Sequence, residues 1–167
     1  MIILGVDPGL SLTGWGLVES GGSDSLTMLN YGCIKTKPAE SITARLTAIH
    51  LAIIGLIREN HPDEMAIEEL FFSKEARTVA SVGQARGAII VAAGVEHLPV
   101  YEYNPRVIKM AMTGFGSADK SQMQKMVKTI LRLSEIPKPD DAADALAIAM
   151  CHINTKKMNA VFAGNNK

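Results

Sequence analysis

No apolar run in the 167 residues reaches the roughly 18 that a membrane span needs. The N-terminal stretch has neither a basic n-region nor a cleavage site, so a soluble, cytoplasmic protein without membrane contact is expected. Cysteine is scarce. Cys33 and Cys151 have no metal-finger spacing and no secretory context, and both are expected to be ordinary core residues. Net charge is absent too: 17 basic and 17 acidic side chains give the chain as a whole no electrostatic commitment to nucleic acid or membrane. Nothing resembles a low-complexity linker, and 47% hydrophobic content suffices for one well-buried core.

The charge that is present is unevenly placed. Between Tyr103 and Leu133 stand Arg106, Lys109, Lys120, Lys125, Lys128 and Arg132 against a single acid, Asp119. Three β-rich runs open the chain, Ile2–Val6, Thr13–Val18 and Leu26–Ile34, separated by "PGLS" and "SGGSD", and links this short imply antiparallel neighbours. Apolar residues at Ile42, Leu46, Ile49, Ile53, Leu56 and Ile57 have helical spacing. "EMAIEEL" reads as a strand, a helix runs from about Glu75 to Glu96, and "LPVYEY" is a further strand. Strand, crossover helix and strand imply parallel pairing, so the sheet is expected to be mixed. The last third is helical, with a stripe of Met123, Met126, Val127, Ile130 and Leu131 and a final helix in "DDAADALAIAMCHI".

In such a sheet chemistry gathers beyond the carboxyl ends of the strands. "IILGVDPGLSLTGWGLVE" puts Asp7 at one such end. A type II turn explains Pro8 and Gly9 there but not the choice of acid. Glu68 and Glu69 close the "EMAIEEL" strand. On the final helix Asp141 and Asp144 are three apart, and Asp140 and Asp144 four apart, so either pair shares a face with Cβ atoms about 5–6 Å apart. Helix capping accounts for Asp140 or Asp141, and a solvated strand end accounts for Glu69, without further function. Asp144 lies inside "AADALA", whose small residues suit close packing, and unpaired it would be costly to bury. Converging carboxylates repel one another and take up protons or cations. A pair of Mg²⁺ ions is the natural neutraliser, and two such ions support phosphodiester cleavage.

The segments "GVDPG", "TGWG", "AIEE", "GQARG", "FGSADKSQ" and "DAADALAIA", in this order and spacing, closely resemble the RuvC family of Holliday junction resolvases. The resemblance implies an RNase H-like α/β fold, a mixed five-stranded sheet in which an antiparallel meander joins parallel strands, flanked by helices. It implies a nuclease domain over 1–154 with a short tail over 155–167, a homodimer, and cleavage of two opposed strands of a four-way DNA junction. Two Mg²⁺ ions per site, replaceable by Mn²⁺, are the expected cofactor, and the branch-migration proteins RuvA and RuvB are expected partners. The family's catalytic, metal-holding acids fall on Asp7, Glu68, Asp141 and Asp144, with Glu69 and Asp140 as extra acids beside the pattern.

By the same resemblance Lys109 and Lys120 flank the active centre, where a cation binds the scissile phosphate or steadies its developing charge. Phe71 matches an aromatic that wedges against bases at the junction centre. Arg86 in "GQARGA" is placed either to reach phosphate or to form a structural ion pair. Lys125, Lys128 and Arg132, spaced for one helix face, suit DNA contact or a solvated surface equally. The small residues from Gly83 to Ala93 permit close helix packing and a dimer contact. Two other functions fit parts of the pattern. Asp7, Gly9, Thr13 and Gly14 mimic the phosphate loop of sugar-kinase and actin-like ATPases, although this chain has no second such half. A resolvase-like enzyme acting on RNA, or a binding-only module, is the third class.

Overall fold

The computed structural model describes residues 1–22, 25–70 and 76–164. Strands β1 (Ile2–Asp7), β2 (Leu12–Ser20) and β3 (Leu26–Lys35) form the antiparallel meander that their short links require. Helix α1 (Ile42–Asn60) starts on Ser41, whose side chain accepts from the Ala44 N–H, and ends at His61 in the left-handed region. It leads to β4 (Glu64–Glu68), α2 (Ala76–Val95) and β5 (Val100–Tyr103). Both crossovers give parallel pairs, β1 with β4 and β4 with β5, so the described sheet has the order β3-β2-β1-β4-β5. The mixed RNase H-like architecture expected from the sequence is the one present.

Alternation along the strands sorts the core into two layers. Leu4, Val6, Leu17, Met65 and Ile67 meet α1 and α2 through Ile49, Ile53, Ala85 and Ile89. Ile3, Val18 and Ala66 face the opposite layer, built from α3 (Pro105–Thr113), α4 (Lys120–Ile130) and α5 (Asp140–Gly164). In α2 the small residues serve packing: Ala85, Ala92 and Ala93 are buried in the α1 layer, while Gly87 and Gly94 face open space.

Two expectations change. Gly9 does not adopt a positive φ, so 7–10 is not a type II turn; a Cβ there would sit 2.2 Å from the Leu12 carbonyl oxygen, and the glycine supplies room. The Thr13 hydroxyl donates to the Gly9 carbonyl at 2.7 Å and holds this segment instead. Arg132 does not share a helix face with Lys125 and Lys128, because α4 ends at Ile130 and Arg132 has left-handed φ, 54°. Beyond 154 the chain continues as α5 to Gly164. Among the described residues no helix is long and apolar enough to cross a membrane.

Candidate active site

Asp7 ends β1 on the same face as Ile3 and Gly5, the face that α5 covers. Glycine makes the approach of that helix very close. A Cβ on Gly5 would lie 2.1 Å from the Ala145 carbonyl oxygen, and one on Gly14 would lie 2.0 Å from that of Asp141. The first turns of α5 are thereby set against the carboxyl end of β1, beside Glu68 at the end of β4. A cleft of about 220 Å³ opens there, with Asp7, Glu68, Asp144, Lys109 and Lys120 on its walls and Ile108 and Met123 among its apolar lining. Asp141 stands outside the lining, against Gly14, but its charge reaches Asp7.

The acids are poorly neutralised. Burial pushes the Asp7 carboxyl up to about 8, with Glu68, Asp144 and Asp141 adding to the rise. Glu68 is raised to about 7, first by burial and then by Asp144, with Lys109 opposing. Burial also raises Asp144, against the opposing pull of Lys120. The Lys120 ammonium lies 3.4 Å from a carboxylate oxygen of Asp144 and 3.4 Å from one of Asp140. Burial pulls its pKa down, but these carboxylates outweigh that and hold it above the ordinary lysine range. It is placed by the loop before α4, where Gly114 turns through positive φ and Asp119 and Gln122 form a reciprocal capping box.

Such a cluster calls for cations, and its all-oxygen donors suit a hard ion. Among the described residues no three donors converge as a ready-made metal cage. Mg²⁺ does not require one, since it takes one or two carboxylates and fills the rest with water and substrate phosphate. The site therefore fits the ion.

These shifts predict a pH dependence of stability. A carboxyl raised on folding contributes stability that is fully present below its unfolded value and is lost as pH rises through its folded value. The metal-free protein should therefore lose thermal stability through Asp7 and Glu68 as pH rises from about 4 to about 8. Mg²⁺ should raise Tm more at the upper end of that range, and Asp7→Asn should flatten the decline. Scanning fluorimetry with and without Mg²⁺ reads both, and a metal-free Tm equally pH-dependent in Asp7→Asn would contradict the assignment.

Other candidates fall at varied distances from the cleft. Arg86 donates through Nε to the Glu68 carbonyl at 3.2 Å and pairs with Glu102, the structural arrangement of its two alternatives. Glu69 is exposed and accepts from Asn104 at 3.3 Å, a solvated strand end. Asp140 is exposed beside Lys120. Phe71 lies outside the described residues. Cys151 is core, but Cys33 is only half-buried and stands opposite Gly14 in the strand register, close enough for Asp141 to act on its thiol. Sequence reasoning passed over Glu64, Tyr103 and His152, which bond to one another in the core. A histidine inside the apolar "AIAMCHI" was the available signal.

The family model for the crossover junction endodeoxyribonuclease RuvC matches residues 3–152. The RuvC of Endomicrobium trichonymphae is 58% identical over 160 residues, spanning 96% of this chain and 84% of that protein. The RuvC of Caldicellulosiruptor saccharolyticus is 49% identical over 92% of each chain. The solved structure of T. thermophilus RuvC in complex with Holliday junction substrate superimposes with a TM-score of 0.90 at 37% identity, over 95% of this chain and 96% of that one. With a family match across nearly the whole fold and relatives this similar, the chain belongs to the RuvC family of crossover junction endodeoxyribonucleases.

Proposed function

We propose that this chain is a structure-selective, Mg²⁺-dependent endonuclease that resolves four-way DNA junctions by paired cuts in two opposed strands during recombination and repair. The observation that carries this reading is the cleft itself: carboxylates raised above their ordinary range on β1, β4 and α5 line it together with Lys109 and Lys120. Its likeness to a protein solved with Holliday junction substrate supplies the substrate class.

Asp7, Glu68 and Asp144, which face the cleft, together with Asp141 beside it, would hold two Mg²⁺ ions, or Mn²⁺ in their place. Bound there, the metal supplies an activated water and stabilisation of the leaving oxygen. Lys120 is half-exposed and reaches over the acids to the position of an incoming phosphate, where it offsets charge developing on the non-bridging oxygens. Lys109 lowers the repulsion that Glu68 presents to the same phosphate. Arg86 fixes the end of β4 through the Glu68 carbonyl, and Phe71 supplies the aromatic that meets bases at the junction centre. The enzyme acts as a cytoplasmic homodimer alongside the branch-migration proteins RuvA and RuvB.

Cleavage of a four-way junction, a linear duplex and a structured RNA, each with Mg²⁺ and with chelator, tests the reading. Symmetric Mg²⁺-dependent nicks in the junction alone are expected, and equal cutting of duplex or RNA would overturn it. Lys120→Ala should slow single-turnover cleavage about a hundredfold and weaken junction binding by a much smaller factor, because one cation is a small share of the total phosphate attraction. Normal cutting by bound Lys120→Ala complexes would reduce Lys120 to a general DNA contact.

A further inference from the structure

Away from the acidic cleft, one cluster of titratable groups is buried and fully bonded. His152, on α5, has no exposed surface. Its Nε2 lies 2.7 Å from a carboxylate oxygen of Glu64, the first residue of β4, and its Nδ1 lies 2.6 Å from the hydroxyl of Tyr103, the last residue of β5. One turn further along α5, Lys156 donates to the other Glu64 oxygen at 2.6 Å. Burial pushes the Glu64 carboxyl up, but the hydrogen bonds from Lys156 and His152 outweigh it and leave it below the ordinary range. Burial lowers His152, against the opposing pull of Glu64. A neutral ring protonated on Nε2 donates to the carboxylate and accepts from the Tyr103 hydroxyl, so both nitrogens are satisfied.

We propose that His152 is a positioning residue of the acidic site, fixing the axial placement of α5 on the sheet and with it the separation of Asp144 and Asp141 from Glu68 and Asp7. The proposal rests on the metal-holding role given above to those four acids.

The geometry gives the reason. Helix α5 runs antiparallel to β4, with Asp144 near Glu68 at one end and His152 bonded to Glu64 at the other. Eight helical residues from Asp144 to His152 span about 12 Å, and four strand residues from Glu64 to Glu68 span about 13 Å. The polar pin and the acid pair thus close two ends of one ladder. Between them Ala145 and Ala149 pack on Gly5 and Leu146 packs on Gly16, apolar contacts that set the depth of the helix on the sheet and contain no hydrogen bond directed along its axis. A slip of one residue moves the helix about 1.5 Å, which is large beside the near-ideal octahedral geometry that Mg²⁺ demands at about 2.0–2.1 Å. Two directional bonds from one rigid ring to two different strands oppose that slip.

The test compares His152→Ala, His152→Gln and Tyr103→Phe with wild type. Three quantities are read: junction affinity without divalent metal, the Mg²⁺ concentration giving half-maximal single-turnover cleavage, and the rise in Tm on adding Mn²⁺. His152→Ala should raise the Mg²⁺ midpoint about tenfold and shrink the Mn²⁺-induced rise in Tm, with affinity unchanged. His152→Gln should restore most of both, because its amide donates to Glu64 and accepts from Tyr103 in the same sense. If His152→Ala does not fold, Tyr103→Phe, which removes one of the two bonds and keeps the ring, is read the same way. A lower metal-free Tm with an unchanged Mg²⁺ midpoint and unchanged Mn²⁺ response would assign the cluster to stability alone and overturn the proposal. A wild-type protein showing neither Mg²⁺-dependent cleavage nor Mn²⁺ stabilisation would overturn the metal-site reading, and the proposal with it.

Discussion

Asp7→Asn is expected to reduce cleavage by about 10³-fold or more while leaving four-way junction binding intact or tighter. Asp7 is the acid on which the charges of Glu68, Asp144 and Asp141 all act, so it occupies the electrostatic centre of the cluster. If Asp7 holds metal as proposed, replacing its carboxylate removes a ligand, and it also removes a negative charge that repels phosphate. Folding should not confuse the result, because the wild-type side chain is buried at a cost that the amide does not bear; Asp7→Asn should be at least as stable as wild type in metal-free buffer near about pH 8. Gel shift and Mg²⁺ cleavage, run beside a melting curve, measure all three. An active Asp7→Asn enzyme would end the metal-ligand role. Asp141→Asn should likewise cripple cutting while Asp140→Asn is mild, since the Asp141 charge acts on Asp7 whereas Asp140 is an exposed partner of Lys120.

The sheet was legible because short links and crossover lengths constrain strand direction, and β1 to β5 appear where alternation and breakers placed them. Asp7 and Glu68 were legible as strand ends. Spacing alone left Asp140, Asp141 and Asp144 unresolved, because i,i+3 and i,i+4 partners share a face equally well. What separates them is the depth of α5 against Gly5 and Gly14, a property of two backbones that no single segment displays. The choice between the two roles of Arg86, and the Glu64–His152–Tyr103 cluster altogether, were hidden for a related reason: the partners are 16 to 88 residues apart in sequence. The loop 7–10 misled because "DPG" is turn chemistry, whereas Gly9 is needed for space beside Leu12.

Wild-type protein acting on a supercoiled plasmid with an extruded cruciform should yield mostly linear product, whereas heterodimers carrying one Asp7→Asn subunit should yield mostly nicked circles. Among the described residues the chain presents one acidic cleft, at Asp7, Glu68 and Asp144, enough for one phosphodiester, whereas resolution as proposed needs cuts in two strands of like polarity. A two-fold dimer offers two equivalent clefts to a substrate that is itself two-fold. The outer face of α2 suits self-association: Gly87 and Gly94 leave open space, and Val91 and Val95 are 58% and 55% exposed. If both cuts occur within one binding event, the plasmid is linearised before the cruciform can reabsorb. A single cut releases supercoiling, the cruciform disappears, and the remaining active subunit has no junction left to cut. The product ratio therefore reports coupling between sites rather than the chemistry at either one. Nicked circles from the wild-type enzyme in saturating Mg²⁺, or a monomer by light scattering at the working concentration, would refute coordinated dimeric cutting even with the nuclease site intact.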